Sequence, residues 1–458
     1  MPKSRPVTLH PAAASQGRLG ERCIPWNEAM KAWHPSITPL NMNHVLRIAI
    51  FSMVMLSIAY GQVIQKTGYI YTEISGRISS MPSDTGNHYF EPNVGQLATW
   101  GNTLDLVLDG FYAEAADSAQ AIGYELIQFT DTFSTPFTTY YILATADTHY
   151  WGTYVYNPNY CRPLVIQAPH SKRDANTGHQ GIHIFRRTQA MFYQVNGTHR
   201  CNSTVFSSCS GTTTACGSSS MPYPVSDLAH TTKSFFQKAT EVLFQSLGNT
   251  HFIQLHGFTK RSTDPYVILS NGTQDAPSPD YMSIFKDNLF QEDTVLTFKI
   301  AHIDLGWTRL RGFWNTQGRF INSSPDPCGS NASRSFGRFF HVEQERVRLR
   351  SDAAAWNKTA NALNNTFPCT PVSLDAGTMS QQAKAYPNPT RGTLTLSWNP
   401  NQEIDQDHFI FNLQGQNLSG NVSLSEKGPG QARVDLVNIP TGCYIIRFGG
   451  VYRKIYKH

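Results

Sequence analysis

The sequence predicts an α/β fold, a mixed sheet with flanking helices, followed by a small C-terminal antiparallel β-sandwich. Three observations predict it. Strand-like and helix-like segments alternate through the middle of the chain, a Pro-, Ser- and Gly-rich stretch interrupts the pattern at about 368–384, and short period-two segments fill the remainder. At 458 residues the chain is long enough for two or three units, one with a sizeable core.

Within 62–160, "TLDLVLDGFYAEAA", "TTYYILAT" and "YWGTYVYN" read as strands set between Gly, Asn, Asp and Pro. "LVIQA", ending at Ala168, reads as a core strand. Asp227 to Leu247 places Leu228, Phe235, Phe236, Ala239, Val242, Leu243 and Leu247 near one face at helical spacing, which predicts an amphipathic helix packed on the sheet, with Ser226 and Asp227 as N-cap residues. "THFIQLHGF" and "GRFFHVEQERVRLR" are further strands. The implied α/β part spans 62–367 and is β-rich at its start; the linker covers 368–384 and the sandwich 385–458.

Aromatics make up 12% and charged residues 15%, with 33 Gly and 26 Pro, a loop- and strand-rich texture typical of extracellular proteins. The net charge of +5 is spread along the chain and gathers in no basic block, so nothing points to a nucleic-acid partner. The eight cysteines show no CxxC spacing and read as disulfide formers. Bridges are expected among Cys201, Cys209 and Cys216, whose Ser/Thr-rich surroundings have too little apolar content to hold a shape unaided. Residues 42–61 carry Arg47, an apolar run from Ile48 to Ala59, and small residues at the spacing of a signal peptidase site. The run is shorter than the roughly 20 residues that span a bilayer, so no permanent transmembrane helix is expected. Residues 1–41 resemble no targeting element and read as an over-extended start before Met42.

The chemistry-bearing residues sit where strands end. His170 and Asp174 follow "LVIQA", and His256 with Gly257 closes "FIQLHGF"; loops after strands are where open α/β sheets gather their functional side chains. Two imidazoles and a carboxylate form the N/N/O set that catalytic zinc takes while keeping a position open for water, so Zn2+ is the expected cofactor. His230 is a rival ligand. Glu343 lies in an apolar strand, where a buried acid needs a reason, and is the candidate general base; a salt bridge to Arg346 or Arg348 is the plain alternative. In "NGTHRC", Arg200 can clamp a substrate carboxylate and His199 can polarise a carbonyl, against the simpler reading of a structural ion pair in a stapled loop. No GxSxG, phosphate loop or dinucleotide fingerprint occurs.

Taken in order, the acid and His after one strand, His-Gly after a later one, the "NTQGR" segment and a Glu followed three residues on by Arg resemble the poly-γ-glutamate hydrolases, which are similar to zinc carboxypeptidases. The resemblance covers about 163–350. It implies a zinc carboxypeptidase-like sheet, metal ligands His170 and His256 with Asp174 where the family has Glu, Glu343 as catalytic base, and Asn315, Arg319 and Arg346 toward a peptide or poly-glutamate-like substrate bearing carboxylates. An N-formylglutamate-type deacylase, or a non-catalytic surface binding or adhesion protein on the same fold, are the alternatives. The tail, with Tyr386-Pro387-Asn388-Pro389, Gly392, the strand from Pro440 to Arg447 and Arg453-Lys454, resembles the C-terminal sorting domain of the type IX secretion system of Bacteroidetes. That resemblance implies a secreted or cell-surface (outer-membrane) protein handled by that machinery.

Overall fold

The computed structural model describes residues 61–145, 149–369, 383–398, 408–412, 418–428, 430–448 and 451–458. The expected over-extended start, the signal segment apart from Gly61, and most of the linker lie outside the described residues. Among the described residues no helix is long and apolar enough to cross a membrane.

In chain order the first part runs β1 (Ile64–Gly68), α1 (Ile70–Ser80), α2 (Val94–Leu108), α3 (Tyr112–Gln120), β2 (Tyr124–Asp131), β3 (Thr138–Thr145), β4 (Thr153–Tyr156), β5 (Arg162–Ala168), α4 (Thr177–Thr188) and β6 (Ala190–Val195). A two-strand ribbon follows, β7 (Thr212–Thr213) with β8 (Met221–Pro222). Then come α5 (Phe235–Ser246), β9 (His251–Phe258), β10 (Val267–Ser270), α6 (Tyr281–Glu292), β11 (Phe298–Ile300), α7 (Thr316–Ile321), β12 (Phe339–Glu345), α8 (Arg346–Leu349) and α9 (Ala353–Thr366). Ten of these strands form one mixed sheet in the order β1-β2-β3-β4-β6-β5-β9-β12-β10-β11. Its centre, β6-β5-β9-β12, is parallel, whereas β10 joins β12 antiparallel.

Buried apolar clusters cover both faces. One gathers α1, α4, α6 and α9 against residues such as Leu164, Ile166, Ile253, Leu255 and Val342. The other gathers α2, α3 and α5 against Val165, Phe192, Phe252 and Phe339. The period-two alternation of strand side chains explains this sharing: neighbouring residues of β5, β9 and β12 point to opposite layers. Trp100 of α2 stacks on Phe235 of α5 at 4.7 Å, and its indole N–H donates to the Phe235 carbonyl at 3.0 Å.

Three sequence expectations are corrected. "TLDLVLDGFYAEAA" is helical: Trp100, Leu104 and Val107 recur at helical spacing on the buried face, and Asn93 with Gln96 forms a capping box at the start of α2. The helix expected from Asp227 begins at Phe235, because Ser234, whose hydroxyl accepts from the Gln237 N–H, caps it; Asp227 is released for another role. The strand expected to run to Arg350 ends at Glu345, whose carboxylate accepts from the N–H groups of Val347 and Arg348 and starts α8. The cysteines also pair more widely than expected. Cys201 bonds Cys216, but Cys209 reaches Cys328 and Cys161 reaches Cys369.

The tail comprises β13 (Ala383–Tyr386), β14 (Thr393–Trp398), β15 (His408–Asn412), β16 (Ser423–Gly428), β17 (Gln431–Asp435), β18 (Gly442–Phe448) and β19 (Val451–Lys457). Two antiparallel sheets, β13-β14-β17-β16 and β15-β18-β19, share a core that includes Leu394, Val434, Ile410, Ile446 and Ile455. This is the expected small β-sandwich.

Replacing the α5 cap, Ser234→Ala, leaves the Gln237 N–H without its acceptor and should lower stability by about 1 kcal/mol. Urea denaturation measures this, and an unchanged midpoint would deny Ser234 the capping role.

Candidate metal centre

The parallel register of β9 and β12 pairs Gln254 with His341 and Glu343 with His256. On the face toward α5, β9 reads Phe252, Gln254, His256 and β12 reads Phe339, His341, Glu343, so apolar side chains give way to polar ones toward the carboxyl ends of the strands. His170 and Asp174 lie in the turn just after β5, the strand beside β9. The backbone N–H groups of Arg173 and Asp174 both donate to the His170 carbonyl, which curls the turn and brings Asp174 back under the imidazole. Topology therefore brings together the sequence-predicted His170, Asp174, His256 and Glu343, all more than nine-tenths buried.

The imidazoles are oriented from behind. His170 Nε2 lies 2.7 Å from Asp227 Oδ1; a carboxylate can only accept, so Nε2 carries a hydrogen, and in the neutral ring Nδ1 keeps the lone pair. His256 Nε2 lies 2.7 Å from Gln254 Oε1. That amide is fixed by unambiguous backbone groups. Asn315 Oδ1 accepts from the Gly318 N–H, so Asn315 Nδ2 faces and donates to Gln254 Oε1. Gln317 Nε2 donates to the Leu228 carbonyl, so its Oε1 receives Gln254 Nε2. Gln254 Oε1 must then accept from His256 Nε2, and His256 likewise keeps its lone pair on Nδ1. Gln254 also continues a row of buried amides through Gln167 to Gln194 across three strands.

Both Nδ1 atoms lie 3.4 Å from the same oxygen, Asp174 Oδ2. Two lone pairs and a carboxylate oxygen facing one another repel unless a cation or proton stands among them. Zinc ligands at about 2.0–2.1 Å in tetrahedral geometry stand about 3.3–3.4 Å apart, the spacing found here. The donor set fits a divalent cation, and His170, Asp174 and His256 form one of two buried His/carboxylate groups able to hold a metal ion among the described residues.

Charge follows from burial and neighbours. Burial pushes His170 down, but Asp227 and Asp174 outweigh it and raise its pKa. Burial lowers His256 to about 4, so it is neutral at physiological pH, as a ligand must be. Burial opposes the charge on Asp227, yet the Arg200 guanidinium and the His170 ring hold its carboxyl far below the usual range. Burial opposes the charge of Asp174 as well, and positive charge at the two imidazoles, a proton or a cation at Nδ1, keeps it ionised. Glu343 moves the other way. Burial and the nearby Asp174 carboxylate raise it to about 8, and its Oε2 is buried without a hydrogen-bond partner.

The remaining sequence-predicted residues divide. Arg200 directs Nε and Nη2 to Asp227 Oδ2, so the structural ion pair, not a substrate clamp, describes it; Nη1 lies 3.3 Å from His170 Nδ1. His199 accepts from the Cys201 N–H at Nδ1 and is not brought to the cleft wall. Asn315 acts behind the site through Gln254. Arg319 is turned away, its guanidinium donating to Asn331, Ser210 and the carbonyls of Phe313, Pro327 and Cys328. The rival ligand His230 stacks on Tyr223 at 3.7 Å, and its Nδ1 lies 3.0 Å from the Trp314 carbonyl oxygen; its ring centre is 6.4 Å from that of His170. Arg348 pairs with Asp293, which removes it as a partner for Glu343. The missing side chain of Gly257 admits Arg350: a Cβ there would stand 2.2 Å from the guanidinium carbon.

Sequence reasoning missed Asp227, Gln254 and His341. The recurrence of Gln167, Gln194 and Gln254 inside apolar strands was the available signal for a buried polar row.

The cleft has two arms meeting at Glu343 and Arg200. One, of about 420 Å³, is walled by Tyr223, His230, Phe313 and Trp314. The other, of about 740 Å³, is lined by Arg173, Lys260, Arg309, Arg346 and Arg350. Arg173, Lys260 and Arg346 have no acidic partner among the described residues, whereas Arg309 pairs with Asp264.

Residues 384–457 match the family model of the secretion system C-terminal sorting domain. The tail marks this chain for secretion or attachment to the cell surface. The three disulfides suit that oxidising destination. No curated protein matches the chain. Among solved structures, the N-formylglutamate amidohydrolase from Ralstonia eutropha JMP134 is similar over 47% of this chain and 95% of that one, with 11% sequence identity and a TM-score of 0.29.

A buried acid raised to about 8 is protonated in the folded chain and ionised in the unfolded one between its ordinary 4.5 and that value. Folded stability from this group is therefore full below that window, falls as pH rises through it, and is lowest above it. In chelator-treated protein, Glu343→Gln should raise the melting temperature relative to wild type near pH 9 and leave it unchanged near pH 4. Parallel curves at both pH values would contradict the burial of an acid at this position.

Proposed function

We propose that the α/β part is an exported, zinc-dependent hydrolase of amide or peptide bonds near carboxylates. The observation that carries this reading is the pair of Nδ1 atoms, of His170 and His256, each 3.4 Å from Asp174 Oδ2 beside the buried Glu343, whose Oε2 has no hydrogen-bond partner. His170, Asp174 and His256 would hold the ion. Zinc in such a setting supplies a Lewis acid and lowers the pKa of its water to about 7. Glu343 faces the same space, and its raised proton affinity suits a base that takes a proton at a carboxylate oxygen and returns it to the leaving nitrogen. Asp227 and Gln254 hold the two imidazoles in the required tautomers. Arg346, with Arg173 and Lys260, supplies positive charge without acidic partners among the described residues, which supports a substrate whose carboxylates lie in that arm; Arg346 is the position from which a bidentate grip is expected.

The test is hydrolysis of γ- and α-linked glutamyl peptides and N-acyl glutamates by zinc-loaded protein. Glu343→Gln should retain zinc and lose about 10²–10⁴-fold in kcat. Turnover equal to wild type would remove Glu343 as base, and protein that takes up no zinc would favour a binding or adhesion role. Asp227→Asn, which breaks the link to His170 Nε2, should weaken zinc binding about 10–100-fold in chelator competition. An unchanged affinity would deny Asp227 its positioning role.

A further inference from the structure

The second buried group able to hold a metal consists of His256, His341 and Glu343, whose ligand atoms lie within 4.8 Å of one another. It shares one member with the first. His341 and Glu343 stand two residues apart on β12, so both side chains leave the same face, and the strand register sets Glu343 directly beside His256. The rings of His256 and His341 stack at 4.3 Å.

Two polar atoms here have no partner. His341 Nδ1 and Glu343 Oε2 are buried and unbonded, although the residues are only 5% and 6% exposed. The nitrogen of His341 that faces Glu343 is Nε2, which stands 3.9 Å from Oε1, too far for a hydrogen bond. The chain packs tightly over this pair all the same. Gly312, at φ 66°, lets its loop close on the His341 ring, where a Cβ would stand 2.8 Å from Cδ2. Glu343 Oε2, open at the cleft beside His256 and His341, is where a cation would complete the group.

We infer that one metal ion has two overlapping seats in this cleft, the first on His170, Asp174 and His256 and the second on His256, His341 and Glu343. The seats are alternatives because His256 has a single lone pair. Its Nε2–H is given to Gln254, which leaves Nδ1 alone to bind, so His256 serves one ion at a time. Both seats offer two imidazoles and one carboxylate, the donor types zinc accepts. They differ in consequence. In the first seat Glu343 is available to take a proton; in the second its carboxylate is a ligand and cannot. The second seat would serve as a resting position, and an ion held by His170, Asp174 and His256 would leave Glu343 free as the base. This inference rests on the metal-dependent reading of the first seat.

Zinc content per chain after dialysis, by plasma mass spectrometry, separates the outcomes. Wild type should hold one zinc. His170→Ala/Asp174→Asn, which dismantles the first seat, should still hold one zinc, and adding His341→Ala should empty it. His341→Ala alone should remain loaded through the first seat. Loss of zinc from the double variant as complete as from the triple would overturn the second seat while leaving the first intact. Two zinc ions in wild type would overturn mutual exclusion, and none would overturn both seats together. Cobalt-loaded protein gives a reading that does not depend on how the double variant folds. His341→Ala should alter the visible absorption bands of the wild-type chain, and superimposable bands would overturn the proposal.

Discussion

An imidazole that donates from one nitrogen has a single lone pair left, and the centre of this protein is built around that limit. Asp227 takes the Nε2–H of His170 and Gln254 takes that of His256, so both Nδ1 atoms are turned to the same oxygen of Asp174. Were either tautomer reversed, an N–H would meet Asp174 and the cluster would satisfy itself as an ordinary buried network. With both fixed as they are, His256 Nδ1 and Asp174 Oδ2 face each other as acceptors, a gap that a cation or a proton fills.

Holding that arrangement requires a rigid backing. The row Gln254, Gln167, Gln194 runs across parallel strands at matched register, each amide donating to the next. Its polarity ends on a backbone carbonyl at Leu228 and a backbone N–H at Gly318, which cannot reverse roles. Burying these amides is costly unless they are paired, and the bonds they share with one another stiffen the row. Two apolar layers exclude water from the rest of the sheet, so the polar face opens only where β5, β9 and β12 end.

Much of this was legible in the sequence because strand alternation and strand-end chemistry are local signals. His170, Asp174, His256 and Glu343 each follow or lie within an apolar run, and residue type at such positions is informative without coordinates. The tail was legible for the same reason. What misled was also local: "TLDLVLDGFYAEAA" contains enough β-branched and aromatic residues to pass for strand, and its helical face appears only once Trp100 and Phe235 are known to meet. Asp227 looked like a helix cap because Asp before an apolar stretch usually is one, whereas Ser234 holds that position. Arg200 and Arg319 looked available because sequence shows a charge but not the partner that consumes it.

The sequence by itself determined the fold class, the sorting tail and the residue types offered at the strand ends, because these depend on spacing along the chain. Tertiary structure alone decided which nitrogen of each histidine is available, that Asp227 and Gln254 stand behind them, and that His341 belongs to the cleft. Those facts depend on register and on hydrogen bonds between residues far apart in sequence: His170 and Asp227 are separated by 57 positions, and Gln254 and Asn315 by 61. Proton placement follows from the partner each group finds in three dimensions, and no spacing along the chain specifies that partner.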